Sequence, residues 1–134
     1  MDRPDDRAAL SPDREAGFTV GESEFTANRR HLGAFGERVA ASFLERNGVR
    51  VLGRNIRIGK GEVDLVAADR TGRFAVEVKT GMEKAGENPR WNFTDRKARQ
   101  VVRMARSLGI RRVDLVTVVV GDDGVGVEWH PRVA

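Results

Sequence analysis

Charged side chains interrupt two short apolar stretches of the sequence, among them Asp64 in GEVDLV (61–66) and Glu77 and Lys79 in FAVEVK (74–79). Side chains alternate between the two faces of a β-strand, so Glu77 and Lys79 share one face of theirs. The four residues DRTG connect the two stretches, which favours a β-hairpin. In such a hairpin Asp64 and Glu77 point the same way from adjacent strands, close enough to hold one cation.

The pair formed by Asp64 and Glu77 requires a positive charge nearby, because two carboxylates repel each other and burial adds to the cost. Lys79 is one candidate counter-charge, and a divalent metal ion is a better one. Oxygen ligands with open positions suit Mg²⁺ or Mn²⁺ rather than zinc. A water molecule whose pKa the metal lowers can attack a phosphodiester, while Lys79 orients that water or stabilises charge on the phosphate.

A third acid, Glu37, comes from a helical pattern that precedes the strands. Apolar residues recur at helical spacing through residues 28–48, and Glu37 falls beside Leu44 at the edge of the apolar face. A solvated glutamate normally lies well away from that face. Glu37 is therefore predicted to reach the sheet and to serve as a metal ligand, directly or through water.

The elements that must position these residues follow the order α-β-β-β-α-β-β. Asn28 can cap the first helix and Gly48 can end it, while the second helix is predicted from Thr94 to Gly109, after a loop over 80–93. A buried strand follows this helix, so part of the sheet is expected to be parallel. The fold class is therefore α/β, a mixed sheet with helices packed against it.

The chain divides at residue 28. Residues 1–27 are rich in Asp, Arg, Pro and Gly and have no apolar period, so we expect a disordered N-terminal tail. Residues 28–134 form the predicted folded domain.

In this order, GERVAASFL, GRNIRIGKGEVDLVAAD and FAVEVK resemble the YraN-like family of predicted bacterial endonucleases, within the PD-(D/E)xK superfamily. Archaeal Holliday-junction resolvases share the same core arrangement. The resemblance covers roughly residues 30–120 and implies a restriction-endonuclease-like fold. It implies Glu37, Asp64, Glu77 and Lys79 as active-site positions, with the carbonyl of Val78 as a further metal ligand.

The sequence departs from this family after the lysine. Relatives often carry an arginine two positions later, where this chain has Gly81, and the loop GMEKAGENPRWNF also differs from the usual pattern. These departures bear on contacts that the loop makes with a substrate more than on metal binding.

The composition excludes several kinds of site. The 134 residues contain no cysteine, which rules out disulfides, zinc–thiolate sites and a thiol nucleophile and fits a reducing compartment. No stretch approaches the roughly 20 apolar residues of a membrane span, and no signal-peptide pattern follows the start. We therefore expect a cytoplasmic protein that does not bind membranes.

Positive charge is concentrated in the predicted domain. The net charge is +4, with −2 on residues 1–30 (5 basic, 7 acidic) and +6 on residues 31–134 (19 basic, 13 acidic). This distribution favours a polyanionic partner, and nucleic acid is the first candidate.

The predicted nucleic-acid-binding residues lie in two segments. Basic residues around the Asp64 strand can grip phosphates near the metal, whereas the arginine stripe of the second helix can equally be a solvated face. Lys97 lies on the other flank of that helix, and the family resemblance favours it over the arginines. The candidates are Arg54, Arg57, Lys60, Arg96, Lys97, Arg99 and Arg103.

Two aromatic residues lie in the loop after Lys79, and the chain contains two histidines. Trp91 and Phe93 are expected to anchor their loop on the core, with stacking on exposed bases as the alternative. His31 and His130 are assigned no role.

The hypothesis that follows is a Mg²⁺- or Mn²⁺-dependent endonuclease that acts on DNA, with branched or structured DNA as one candidate substrate. The alternatives are a nucleic-acid-binding module of the same fold without turnover and a protein that binds a partner through its helix surface. Junction-cutting enzymes of this fold act as dimers, so a homodimer is one option.

Overall fold

The computed structural model of the protein describes the backbone of residues 29–134 and side chains from residue 31 onward. The predicted tail, residues 1–27, and the predicted helix cap Asn28 lie outside the described residues. Within the described part of the chain, no helix is both long and apolar enough to cross a membrane.

Within residues 29–134, two α-helices and five strands follow one another in the predicted order, with two short 3₁₀ helices between the third strand and the second α-helix. Strands β1, β2 and β3 lie between the helices α1 and α2, and strands β4 and β5 follow α2. The bounds are α1 (Arg29–Arg46), β1 (Arg50–Ile58), β2 (Gly61–Asp69), β3 (Gly72–Met82), the 3₁₀ helices Glu83–Ala85 and Pro89–Asn92, α2 (Asp95–Ser107), β4 (Val113–Gly121) and β5 (Gly124–His130).

The strands form one mixed sheet in the order β1-β2-β3-β4-β5. Neighbouring strands are antiparallel except β3 and β4, which are parallel and joined through α2. A parallel pair needs such a crossover, because the chain must return from the end of one strand to the starting end of the next, which a tight turn cannot do. The predicted α/β class, the element order and the partly parallel sheet are confirmed.

The ends of the helices follow local sequence signals. α1 gives way to Gly48, whose φ of 82° lies in the left-handed region that glycine enters without a Cβ clash. At the start of α2, the Thr94 hydroxyl accepts a hydrogen bond from the backbone N–H of Lys97 at 3.3 Å. This bond satisfies one of the free donors of the first helical turn.

The loop predicted over 80–93 begins later than expected. β3 continues through Met82, because Thr80, Gly81 and Met82 pair with Val118, Val119 and Val120 of β4. The rest of the segment consists of the two short 3₁₀ helices.

Each helix covers one face of the sheet. The α1 face carries Phe74, Val76 and Val78 of β3 with alternate residues of β4 and β5, and Gly36 of α1 lies so close to Thr80 that no side chain fits between them. The α2 face carries Val66, Ala75 and Val113, which pack with α2 and the chain after it. By alternation, Glu77 and Lys79 lie on the α2 face.

A buried ion pair lies on β4, outside the predicted site. The Asp114 carboxylate is fully buried and accepts hydrogen bonds from the Arg112 guanidinium (2.8 and 2.9 Å), from Trp129 Nε1 (2.8 Å) and from the backbone N–H of Arg132 (2.9 Å). The guanidinium also lies 3.9 Å from the centre of the Phe74 ring. Because every oxygen of this buried carboxylate is bonded, the cluster is a structural one.

Strand β1 forms one edge of the sheet and is irregular. Its register against β2 shifts between Val51 and Gly53, and Asn55 adopts a φ of 50°. Asparagine tolerates this left-handed conformation better than most residues with a side chain.

Candidate active site where two strands part

The predicted Glu77–Lys79 pair lies on β3 as one ion pair. Lys79 Nζ is 3.1 Å from Glu77 Oε2, and Glu77 is only 8% exposed. Alternation along β3 places both side chains on the same face, so the contact needs no distortion of the strand. Of the predicted charges, these two lie closest to the centre of the sheet.

Asp64 occupies the point where β2 parts from β3. The ladder between the two strands ends at Leu65 and Val76, one position before Asp64 would face Glu77. The Asp64 side chain takes the place of the next backbone partner, because its Oδ2 accepts a hydrogen bond from the Val78 N–H at 2.8 Å. The N–H and C=O of one strand residue point toward the same neighbour, so the Val78 carbonyl also faces this opening.

The pKa of Asp64 shows that the site is electrostatically unbalanced. Burial, followed by the negative charges of Glu77 and Glu37, raises this pKa from 3.8 to about 8, against the lowering effects of the Val78 N–H and the Lys79 ammonium. One lysine therefore does not offset the acids that surround it. A site in this condition favours either a proton or a cation.

Glu37 of α1 lies near enough to Asp64 for its charge to raise the Asp64 pKa, and it is held by Asn55, a residue to which the sequence assigned no role. The Glu37 Oε1 accepts a hydrogen bond from Asn55 Nδ2 at 2.9 Å. The left-handed backbone of Asn55 in β1 is the local feature that accompanies this bond. The signal in the sequence is an asparagine inside a strand, a residue type that strands usually disfavour.

The residues fit a hard divalent cation through the chemistry of their donors. Within residues 31–134, no three His, Asp or Glu side chains converge as a ready metal cluster. Asp64, Glu77 and the Val78 carbonyl offer oxygen donors at one opening, which suits Mg²⁺ because it binds one or two carboxylates and keeps several waters. One oxygen of Glu37 accepts the hydrogen bond from Asn55, so its other oxygen is the one that could serve a cation, directly or through water.

The predicted phosphate-binding residues are all exposed and lie on two elements. Arg54 and Arg57 lie on β1, and Lys60 lies in the turn that leads into β2 and Asp64. The other four candidates extend along the exposed side of α2, whose opposite side packs on the sheet through Val101 and Ala105. They are Arg96, Lys97, Arg99 and Arg103.

The expectation for Trp91 was wrong, whereas that for Phe93 fits the structure. Trp91 is 75% exposed and does not anchor its loop, while Phe93 is half-buried against the core on the α2 face. The segment is held instead by Pro89, which is buried and packs close to Gly81.

Gly81 explains why the departure from the family pattern is compatible with this fold. A Cβ at Gly81 would lie 3.0 Å from the Glu87 Cβ and 3.3 Å from the Pro89 Cδ. An arginine at this position would therefore displace the segment that follows β3.

A row of polar residues that the sequence analysis missed continues the α2 face beyond Lys79. Lys79 pairs in register with Thr117 of β4, which pairs with Glu128 of β5. His130 of β5 lies on the same face, with its Nε2 3.5 Å from the Thr117 Oγ1. Its other ring nitrogen, Nδ1, is 3.2 Å from an Arg90 guanidinium nitrogen.

Comparisons with known proteins identify a family. The family described as "Uncharacterised protein family UPF0102" matches residues 36–118. UPF0102 proteins of Symbiobacterium thermophilum, Arthrobacter sp. and Anaeromyxobacter dehalogenans are 37%, 37% and 36% identical to this chain. The alignments cover 71%, 76% and 87% of this chain and 87%, 89% and 90% of those proteins.

Among solved structures, one similar chain is SfsA of Pyrococcus furiosus, determined in complex with Ca²⁺. It is 13% identical with a TM-score of 0.39, over 73% of this chain and 63% of that one.

Proposed function

This chain belongs to the UPF0102 family, as its YraN-like motifs predicted, and we propose that it is a metal-dependent nuclease that hydrolyses phosphodiester bonds of DNA. The observation that carries the proposal is the convergence of Asp64, Glu77 and Lys79 where β2 parts from β3. The Asp64 carboxylate accepts a hydrogen bond from the Val78 N–H, and its pKa is raised by burial and by Glu77. A purely structural cluster would be expected to satisfy its acids, as the Asp114 cluster does.

The residues at the opening between β2 and β3 would divide the work. Asp64, Glu77 and the Val78 carbonyl would hold Mg²⁺ or Mn²⁺, which supplies Lewis acidity at the scissile phosphate when bound. Binding of the cation would free the Lys79 ammonium from Glu77. Lys79 would then stabilise the negative charge that develops on the phosphate oxygens.

Glu37 would orient water at the edge of the site. Asn55 fixes its carboxylate through a 2.9 Å hydrogen bond, which leaves the second carboxylate oxygen to accept a hydrogen bond from solvent. Two of the exposed basic residues lie on β1, which pairs with the Asp64 strand β2, and a third lies in the turn between these strands. They would bind the phosphates on either side of the reacting one.

The direct test is cleavage of labelled single-stranded, duplex and four-way-junction DNA by the purified protein with Mn²⁺, with Mg²⁺ and with EDTA. We expect metal-dependent cleavage that falls at least 100-fold in Glu77→Gln and in Lys79→Met. Glu45→Gln, which removes an exposed acid of α1, is the matched control and should cut like the wild type.

Two results would refute the proposal. Equal cleavage by the wild type and Glu77→Gln would assign the activity to a contaminant. Absence of cleavage, together with no heat of Mn²⁺ binding in calorimetry, would show that the site holds no metal, and salt-dependent DNA binding in that case would favour a binding module without turnover.

A further inference from the structure

The polar row beyond Lys79 extends the site across three strands. Residues paired in register on neighbouring strands point to the same face, so Lys79, Thr117 and Glu128 form one line and Glu77, Leu115 and His130 form the next. Neighbouring strands are about 4.8 Å apart, so β5 lies about 10 Å from β3. This distance corresponds to about one or two nucleotides of an extended single strand.

Arg90 reaches this row from the segment that follows β3. One of its guanidinium nitrogens lies 3.2 Å from Nδ1 of His130. Burial and the Arg90 charge lower the pKa of His130, against the effect of Glu128, so the neutral ring can accept a hydrogen bond from Arg90. A guanidinium has five N–H donors, and those not used on His130 remain for another acceptor.

The segment that carries Arg90 is fixed at its base and exposed at its tip. Asn88 Oδ1 accepts a hydrogen bond from the Arg90 backbone N–H at 3.2 Å, and Pro89 is buried against the Gly81 region. The next residue, Trp91, is 75% exposed. A large aromatic side chain held on a fixed turn beside an arginine is a combination that binds single-stranded nucleic acid.

Glu128 limits where a phosphate can lie. Its carboxylate is 3.5 Å from Nε2 of His130 and its side chain is 67% exposed, so this side of the ring repels anions. The Arg90 side carries the positive charge. A phosphate is therefore expected at Arg90, with His130 positioning the guanidinium.

We propose that Arg90 and Trp91, with His130 as the positioning residue, form a second subsite that binds an unpaired nucleotide near the one whose phosphate meets Lys79. Arg90 contacts its phosphate and Trp91 stacks on its base. This inference rests on the proposed nuclease function and deepens it, because a base inside a duplex is covered on both faces by its neighbours and can stack on an exposed indole only after it leaves the duplex. The substrate class is therefore DNA with a single-stranded segment beside the cleaved bond.

The test compares the binding of a blunt DNA duplex with that of the same duplex carrying a single-stranded overhang. Fluorescence anisotropy with labelled DNA in EDTA measures affinity without cleavage. The wild type should bind the overhang DNA at least tenfold more tightly than the blunt duplex. Trp91→Leu and Arg90→Met should lose this preference and bind the blunt duplex like the wild type. Arg111→Met, an exposed arginine before β4, controls for the loss of one positive charge.

Tryptophan fluorescence gives a second readout that a purely structural role would not change. Stacking of a base on Trp91 should quench the emission on saturation with overhang DNA, and this quenching should be absent in Trp91→Leu. Unchanged overhang preference in both variants, or no quenching in the wild type, would overturn the subsite.

The two proposals fail separately. If Trp91→Leu and Arg90→Met cut DNA and still prefer the overhang as the wild type does, the subsite is refuted and the nuclease function stands. Overhang preference that depends on Arg90 and Trp91 in a protein that cuts no DNA would refute the nuclease function and leave a binding subsite.

Discussion

Replacement of Asp64 by asparagine should stabilise the metal-free protein, although the Asp64 carboxylate is half-buried and hydrogen-bonded. In the wild type, Asp64 Oδ2 accepts a hydrogen bond from the Val78 N–H at 2.8 Å. The side-chain oxygen of asparagine can accept the same hydrogen bond. The substitution removes the negative charge that burial, Glu77 and Glu37 disfavour. Asp64→Asn therefore separates the electrostatic cost of the site from its hydrogen bonding.

The magnitude follows from the pKa of Asp64, which is raised from 3.8 to about 8 in the folded protein. Above pH 4 the unfolded chain releases the Asp64 proton while the folded protein keeps it, so a rise in pH favours the unfolded state. The loss is at most about 1.36 kcal/mol per pH unit, or about 4 kcal/mol between pH 4 and pH 7. Because Asp64 is only half-buried and the site can relax, we expect about 1–3 kcal/mol.

Urea unfolding in EDTA at pH 4, 5.5, 7 and 8 measures this difference. The free energy of unfolding of Asp64→Asn should equal that of the wild type near pH 4 and exceed it increasingly up to about pH 8. Asp122→Asn, an exposed carboxylate in the β4–β5 turn, is the control for removal of one negative charge. A difference between Asp64→Asn and the wild type that does not change with pH would refute the argument.

Two further predictions concern the fold, and one concerns the edge of the site. Gly36→Ala should lower the free energy of unfolding by about 1–3 kcal/mol, because the added methyl group meets the Thr80 side chain; Thr80→Ala in the same chain should restore part of the loss in urea titrations. Asp114→Ala should lower the free energy of unfolding by about 3 kcal/mol, because it removes the fully buried carboxylate that pairs with Arg112 and accepts a hydrogen bond from Trp129 Nε1, while Asp69 still pairs with the guanidinium; thermal unfolding measures the loss, and a stability equal to the wild type would contradict the structural role of this cluster. Asn55→Ala should lower Mn²⁺-dependent cleavage about tenfold while leaving the calorimetric Mn²⁺ affinity within about threefold, as expected for a residue that orients an outer carboxylate; an equal fall in both would place its effect on metal binding.

Local signals in the sequence account for most of the fold. Gly48 marks a helix end because it adopts the left-handed conformation there, and Thr94 marks a helix start because its side chain accepts a hydrogen bond from the first turn. Both effects act within a few residues of the chain. The continuation of β3 to Met82 could not be read in this way, because TGM has no strand pattern of its own. Its strand conformation comes from pairing with Val118, Val119 and Val120, nearly 40 residues later.

In the candidate site, too, local sequence predicts some of the contacts, and others depend on the pairing of distant strands. The proximity of Asp64, Glu77 and Lys79 could be predicted because two strands joined by a tight turn fix their own register. Arg90 and His130 were missed because their meeting depends on the β3–β4 and β4–β5 registers together. Trp91 was misjudged because a tryptophan in a loop usually buries its ring, and here Pro89 performs the packing instead.

Strand β1 has a consequence for the behaviour of the protein at high concentration. An open sheet edge can recruit a strand from another molecule, and this recruitment is a common route to aggregation. The register shift after Val51 and the left-handed Asn55 interrupt the row of free backbone donors and acceptors on that edge, and the arginines at 50, 54 and 57 add mutual repulsion between two such edges. The β1 arginines that would attract DNA phosphates thus also oppose the pairing of two β1 edges.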